Sequence, residues 1–147
     1  MNKWLLIFLT LLFISCGKER ANQNEIFQLD IPQGFPDPII PEDNQLTYER
    51  IELGKRLFYD PILSKDGTIS CESCHKQEFA FADNVKISVG VEGRLGFRNS
   101  ISLANMAYQD ALMRESGVPT LEMQVLVPIQ DHNEMDFNIL SVAEKLN

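Results

Sequence analysis

The sequence predicts an all-α fold of short helices joined by long loops, on three observations. Apolar residues recur at intervals of three and four in several stretches; proline and glycine cut those stretches short; and no stretch alternates apolar and polar residues as a half-buried strand does. The first helix is expected in "TYERIELGKRLFYDP", where Tyr48, Ile51 and Phe58 share a side with Leu53 and Leu57, and Pro61 ends the run. A polar turn at Ser64-Lys65-Asp66-Gly67 leads into "TISCESCHKQEFAF". A glycine-rich loop follows over Val89–Asn99. A second helix is expected in "SISLANMAYQDALM", with Leu103, Met106, Ala107 and Leu112 as its apolar side. A third, short one begins near Thr120 and stops before Pro128, and a last pattern, "FNILSVAEKLN", is still helical where the sequence ends.

Ahead of these elements stand two segments of different composition. Lys3 precedes an unbroken apolar run from Trp4 to Ile14, then Ser15-Cys16, which is the layout of a signal peptide too short to span a bilayer. A cysteine directly after a small residue suggests a lipoprotein with Cys16 acylated, anchored to a bacterial membrane and facing the periplasm; ordinary secretion is the alternative. Residues 1–15 are therefore read as the signal peptide. Residues 16–45 are read as a tether followed by an extended segment, punctuated by Pro32, Pro36, Pro38 and Pro41. Residues 46–147 form one domain. The formal charge of −8 becomes more negative without Lys3, which argues against nucleic acid, whose binders cluster Lys and Arg.

Cys71, Cys74 and His75 fall in the order C-x-x-C-H, the attachment signature of a c-type haem. The spacing follows from the chemistry: two thiols add to the two vinyl groups, and the histidine that follows is carried under the ring to ligate the iron. A zinc site would want two further ligands, for which His132 and Cys16 are the candidates. A redox dithiol would be expected in a βαβ context. Export favours the covalently bound haem c, because such haems are assembled outside the cytoplasm.

Three stretches, "LGKRLFYDPILSKDGTISCESCH", "SVGVEGRLGFRNSISLANMAY" and "LEMQVLVPIQDHNEM", resemble the bacterial di-haem cytochrome c peroxidase family, which includes MauG-like proteins. The resemblance runs from about Leu53 to the end. It implies a cytochrome c-like haem domain, the amino-terminal and peroxidatic half of a two-domain enzyme that reduces hydrogen peroxide to water. Electrons would come from a small cytochrome c or copper protein through a second haem c on a further domain, and the assembly would be a homodimer. No second C-x-x-C-H follows, so the chain is expected to be a truncated form whose second haem domain is missing, or one that pairs with a separate donor chain.

Carried over residue by residue, the resemblance puts Gln124 at the distal-pocket glutamine and Glu134 at the catalytic glutamate. Asn99 matches an asparagine that helps hold calcium; a turn residue is the alternative. Two departures stand out. Val91 replaces a histidine that often caps the resting iron, so the distal face is expected to stay open. Arg114 replaces a tryptophan placed between the haems, and Trp4, the single tryptophan, lies in the signal peptide. His132 is read as a polar lining residue near Glu134, Met106 and Met123 as core filler, and Arg94 and Arg98 as propionate partners or exposed loop charges. Two rival readings remain: a non-enzymatic mono-haem electron carrier with methionine or His132 on the iron, and MauG-like oxidation of a protein substrate.

Overall fold

The structure, a computed structural model, describes residues 25–113 and 115–146. Trp4, Cys16, the whole signal segment and Arg114 lie outside them. The described residues are all-α, with short helices, single 3-10 turns and long loops; pairing of strand type is confined to isolated bridges. No helix among them is long and apolar enough to cross a membrane.

Helix α1 spans Tyr48–Tyr59 and starts where Thr47, in extended geometry, accepts a hydrogen bond from the Arg50 amide. It ends at Asp60, whose carboxylate accepts from the Ile62 amide and opens the 3-10 turn Pro61–Leu63. Ahead of α1 the chain runs extended: the Phe27 amide donates to the Leu46 carbonyl at 2.8 Å, and the rings of Phe27 and Tyr48 meet edge-on at 5.3 Å. Helix α2 is the single turn Cys71–Cys74, entered through Ser70, whose amide donates to Ser73 Oγ at 3.0 Å.

The stretch expected to form a second long helix does not. It contains only the 3-10 turn Met106–Tyr108, bounded by Asn105 at φ +60° and an extended Gln109. Ser102 explains the break: its backbone carries the chain into a turn in which its hydroxyl accepts from the Ala104 amide at 3.1 Å while donating to the Ala80 carbonyl at 2.6 Å. A helix would forfeit that cross-link to the cysteine segment. The third expected helix is split into α3 (Leu121–Gln124) and α4 (Leu126–Gln130), and Pro128 sits inside α4 instead of ending it. Proline is tolerated there because first-turn amides have no helical acceptor to lose. Helix α5, Ile139–Leu146, matches the final pattern.

The core is small: Leu63, Ile129, Met135 and Val142 are buried together, with Leu57, Ile62, Ile69, Phe137 and Ile139 packed against them. It ties α1, α4 and α5 to the chain on either side of the cysteine turn. Each such side chain contributes roughly 1.5–3 kcal/mol when fully buried. Met135 and Ile69 also face a large cavity, so the core forms part of its wall.

The glycine-rich loop is fastened to residues 131–136. The Val91 amide donates to the Glu134 carbonyl at 2.8 Å, and Val91 itself is fully buried. A methyl group on Gly90 would lie 2.1 Å from the Asn133 carbonyl oxygen and 2.5 Å from that of Glu134. Gly90→Ala is therefore expected to cost about 1–3 kcal/mol of stability, read as a lowered midpoint in thermal unfolding. An unchanged midpoint would mean that the two loops do not meet as described.

Candidate functional site

The cysteine segment presents its three chemical groups through local backbone geometry. The His75 amide closes the α2 turn on the Cys71 carbonyl at 2.9 Å. Beyond it Ala80 and Phe81 both take positive φ (54° and 58°), a conformation costing about 1–2 kcal/mol for a residue with a Cβ. The Phe81 amide bonds the Lys76 carbonyl at 2.8 Å, and the Lys76 amide bonds the Ala82 carbonyl at 3.0 Å, holding the bend in place. The result is functional: the Phe81 carbonyl accepts from His75 Nδ1 at 2.9 Å. With Nδ1 carrying the proton, Nε2 keeps its lone pair for a metal.

Cys71, Cys74 and His75 line one cavity of about 450 Å³, within the ~300–1,000 Å³ usual for cofactor sites. Burial pushes both thiols up in pKa; at Cys74 the nearby Asp83 and Glu134 carboxylates push the same way. A dithiol that exchanges disulfides works through a depressed thiol pKa, so this environment speaks against that alternative. Among the described residues, no three His, Cys, Asp or Glu side chains gather as a metal cluster.

Gln124 and Glu134 line the same cavity, brought there by α3 and by the loop after α4. The sequence distance between them and the cysteines closes because Met135 returns to the core: its amide donates to the Pro128 carbonyl at 3.2 Å, and its carbonyl accepts from the Lys65 amide at 3.0 Å. Glu134 is open to the cavity yet hemmed by protein, and this burial, with Asp131 adding its charge, raises its carboxyl pKa above the ordinary 4.5. Gln124 Oε1 is buried with no hydrogen-bond partner in the protein. Two thiols, a neutral imidazole nitrogen, an apolar wall and an unmatched amide oxygen in one cavity fit a haem-sized prosthetic group with a polar ligand beside it.

Asn99, Arg98 and Met106 are on the cavity wall, Arg98 paired with Glu115. Three expectations need correction. His132 does not line the cavity: its side chain is 72% exposed and Nδ1 lies 3.4 Å from Asp136. The turn over residues 131–136 leaves it outside while Asp131, Asn133, Glu134 and Met135 face in. Arg94 is likewise committed elsewhere, to Glu92 and, at 2.8 Å, to Asp136, which Lys65 also reaches at 2.9 Å; these cations hold the Asp136 carboxyl well below its usual range. Met123 is half exposed and no core residue, because the expected long apolar helical face is absent.

Residues that sequence reasoning missed are Gly90 and Phe81. A glycine beside a buried loop was the available signal for Gly90; nothing local marks the Phe81 carbonyl.

Fold and site together define an all-α protein built round a cofactor cavity. Residues 48–147 match the family described as di-haem cytochrome c peroxidase, and the chain belongs to that family. It is 30% identical over 142 residues to the methylamine utilization protein MauG of Methylophilus methylotrophus, covering 97% of this chain and 42% of that protein. It is 42% identical over 90 residues to the cytochrome-c peroxidase IdrP1 of a Pseudomonas species (strain SCT), covering 61% of this chain and 24% of that one. Among solved structures, a MauG-like protein associated with microbial copper homeostasis superposes with a TM-score of 0.75 at 38% identity, over 82% of this chain and 35% of the other. The chain thus spans less than half the length of each of these relatives. Membership carries with it a haem-binding capability in general.

Proposed function

We propose that this chain is the peroxidatic haem domain of a peroxide-reducing enzyme, with haem c attached to Cys71 and Cys74 and His75 as the iron's protein ligand. The observation that carries the reading is that the C-x-x-C-H turn, Gln124 and Glu134 all face one cavity. A haem held there would supply a redox-active iron able to give electrons to peroxide.

The chain's own residues have separable tasks. Phe81 fixes the His75 tautomer through its carbonyl. Glu134, whose raised pKa brings it closer to neutral pH, takes a proton from one peroxide oxygen and returns it to the oxygen that leaves as water. Gln124 accepts a hydrogen bond from the peroxide through Oε1, which otherwise has no partner. Val91, buried and tied to the Glu134 carbonyl, offers no side chain to cap the iron.

Hydrogen peroxide as substrate, a small cytochrome c or copper protein as donor, a calcium role for Asn99, a second haem c, dimerisation, and lipid anchoring through Cys16 on the periplasmic side are parts of the same proposal. The electron-carrier alternative keeps one observation in its favour, since Met106 and Met113 also face the cavity. Electron paramagnetic resonance on residues 17–147, matured with haem c, separates the two. High-spin ferric iron is the expected result; low-spin iron with a methionine ligand would make the domain an electron carrier.

A further inference from the structure

A second cavity of about 480 Å³ adjoins the first. One side is the extended amino-terminal segment, with Leu29, Ile31 and Pro38 and the one carboxylate of the lining, Asp30; the other is the turn carrying Asn105, Ala107 and Tyr108. The ring of Tyr108 meets Phe35 edge-on at 5.2 Å, which ties the segment to that turn. Leu103, Met106 and Gln124 line both cavities and so form the partition between them.

We infer that this outer cavity is a second subsite of the same reaction, taking the apolar substituent of an organic hydroperoxide whose O–O head lies at the partition. The inference rests on the peroxidase reading above. Its chemistry follows from the lining. Hydrogen peroxide gains nothing from apolar walls, whereas an alkyl or aryl group gains with each methylene it buries. Gln124 Oε1 is buried in the partition without a donor. An amide oxygen only accepts, so the partner it lacks is an N–H or O–H group, and a hydroperoxide supplies one at the end of an apolar tail.

The reaction balances as for hydrogen peroxide. The O–O bond breaks, two electrons arrive from the small redox protein and two protons are taken up. The substrate leaves as one alcohol and one water. The hydroperoxide has a single O–H, which donates its hydrogen bond to Gln124 Oε1 as the substrate binds. That proton then passes to Glu134 and from there to the alkoxy oxygen, and the alcohol departs through the outer cavity.

The test uses the haem-loaded protein and cumene hydroperoxide. Ala107→Trp fills the outer cavity from a residue outside both the partition and the proposed catalytic groups, and Leu29→Trp fills it from the opposite side should the first variant fold poorly. In either, the second-order rate with cumene hydroperoxide is expected to fall about tenfold while that with hydrogen peroxide stays unchanged. Calorimetric binding of cumyl alcohol, which involves no turnover, is expected in the wild type and should weaken about tenfold in the variant. A wild type that reduces hydrogen peroxide but binds no cumyl alcohol, or a variant slowed equally with both peroxides, overturns the subsite alone. A wild type inert to both peroxides overturns the peroxidase reading, and the subsite with it.

Discussion

Replacing Glu134 by glutamine is expected to slow the reaction with hydrogen peroxide by about 10²- to 10⁴-fold, the usual contribution of a positioned acid–base group. The absorption spectrum of the bound haem should be nearly unchanged, because glutamine keeps the shape and loses only the proton acceptor. The pH profile gives a second readout. The reacting form is the carboxylate, and burial raises the pKa of Glu134 above 4.5. The rate should therefore fall as pH is lowered through a value above the ordinary glutamate range, and that limb should vanish in the variant. Stability should move the other way. A carboxyl group whose pKa is raised by folding contributes stability below its unfolded pKa and loses it as pH rises through the folded value. At neutral pH Glu134→Gln should thus be at least as stable as the wild type. Unaltered stopped-flow kinetics in that variant would remove Glu134 from the mechanism.

The second large effect is all-or-none. With Cys71 and Cys74 both changed to alanine, no haem should remain on the polypeptide after denaturation, whereas the wild type should keep a haem-staining band of its own mass. Both thiols line the cavity, and burial pushes their pKa values up, which disfavours disulfide exchange. His75→Ala is expected to differ: the haem stays covalently attached, and the spectrum shifts because the nitrogen left free by the Phe81 hydrogen bond is gone. A stained band that survives the double alanine change would refute covalent attachment at these positions.

The two assignments differ in how they could be read. C-x-x-C-H is contiguous, because one turn of helix must present both thiols and the histidine, and contiguous chemistry is visible in a sequence. Helix α1 was legible for a related reason: its apolar spacing, Thr47 cap and Pro61 stop are all local signals. The region of residues 100–113 was not, because its apolar residues are spent on a cavity wall; the Ser102 bond to the Ala80 carbonyl outweighs the helical period. Family resemblance named Gln124 and Glu134 where composition could not. Closeness in sequence to Glu134 put His132 on the cavity wall, whereas the turn at residues 131–136 directs it outward.

By itself, the sequence determined the fold class, the attachment motif and the family, since each is written in short-range spacing or in motifs that survive in order. Only the tertiary structure decided that His75 has its Nδ1 occupied by the Phe81 carbonyl, that Gln124 is buried without a partner, and that Gly90 admits the Glu134 segment at backbone distance. It alone joined a second cavity to the first through Leu103, Met106 and Gln124. The physical reason is that hydrogen bonds, desolvation and voids arise between residues tens of positions apart, where packing sets the distances and periodicity carries no information.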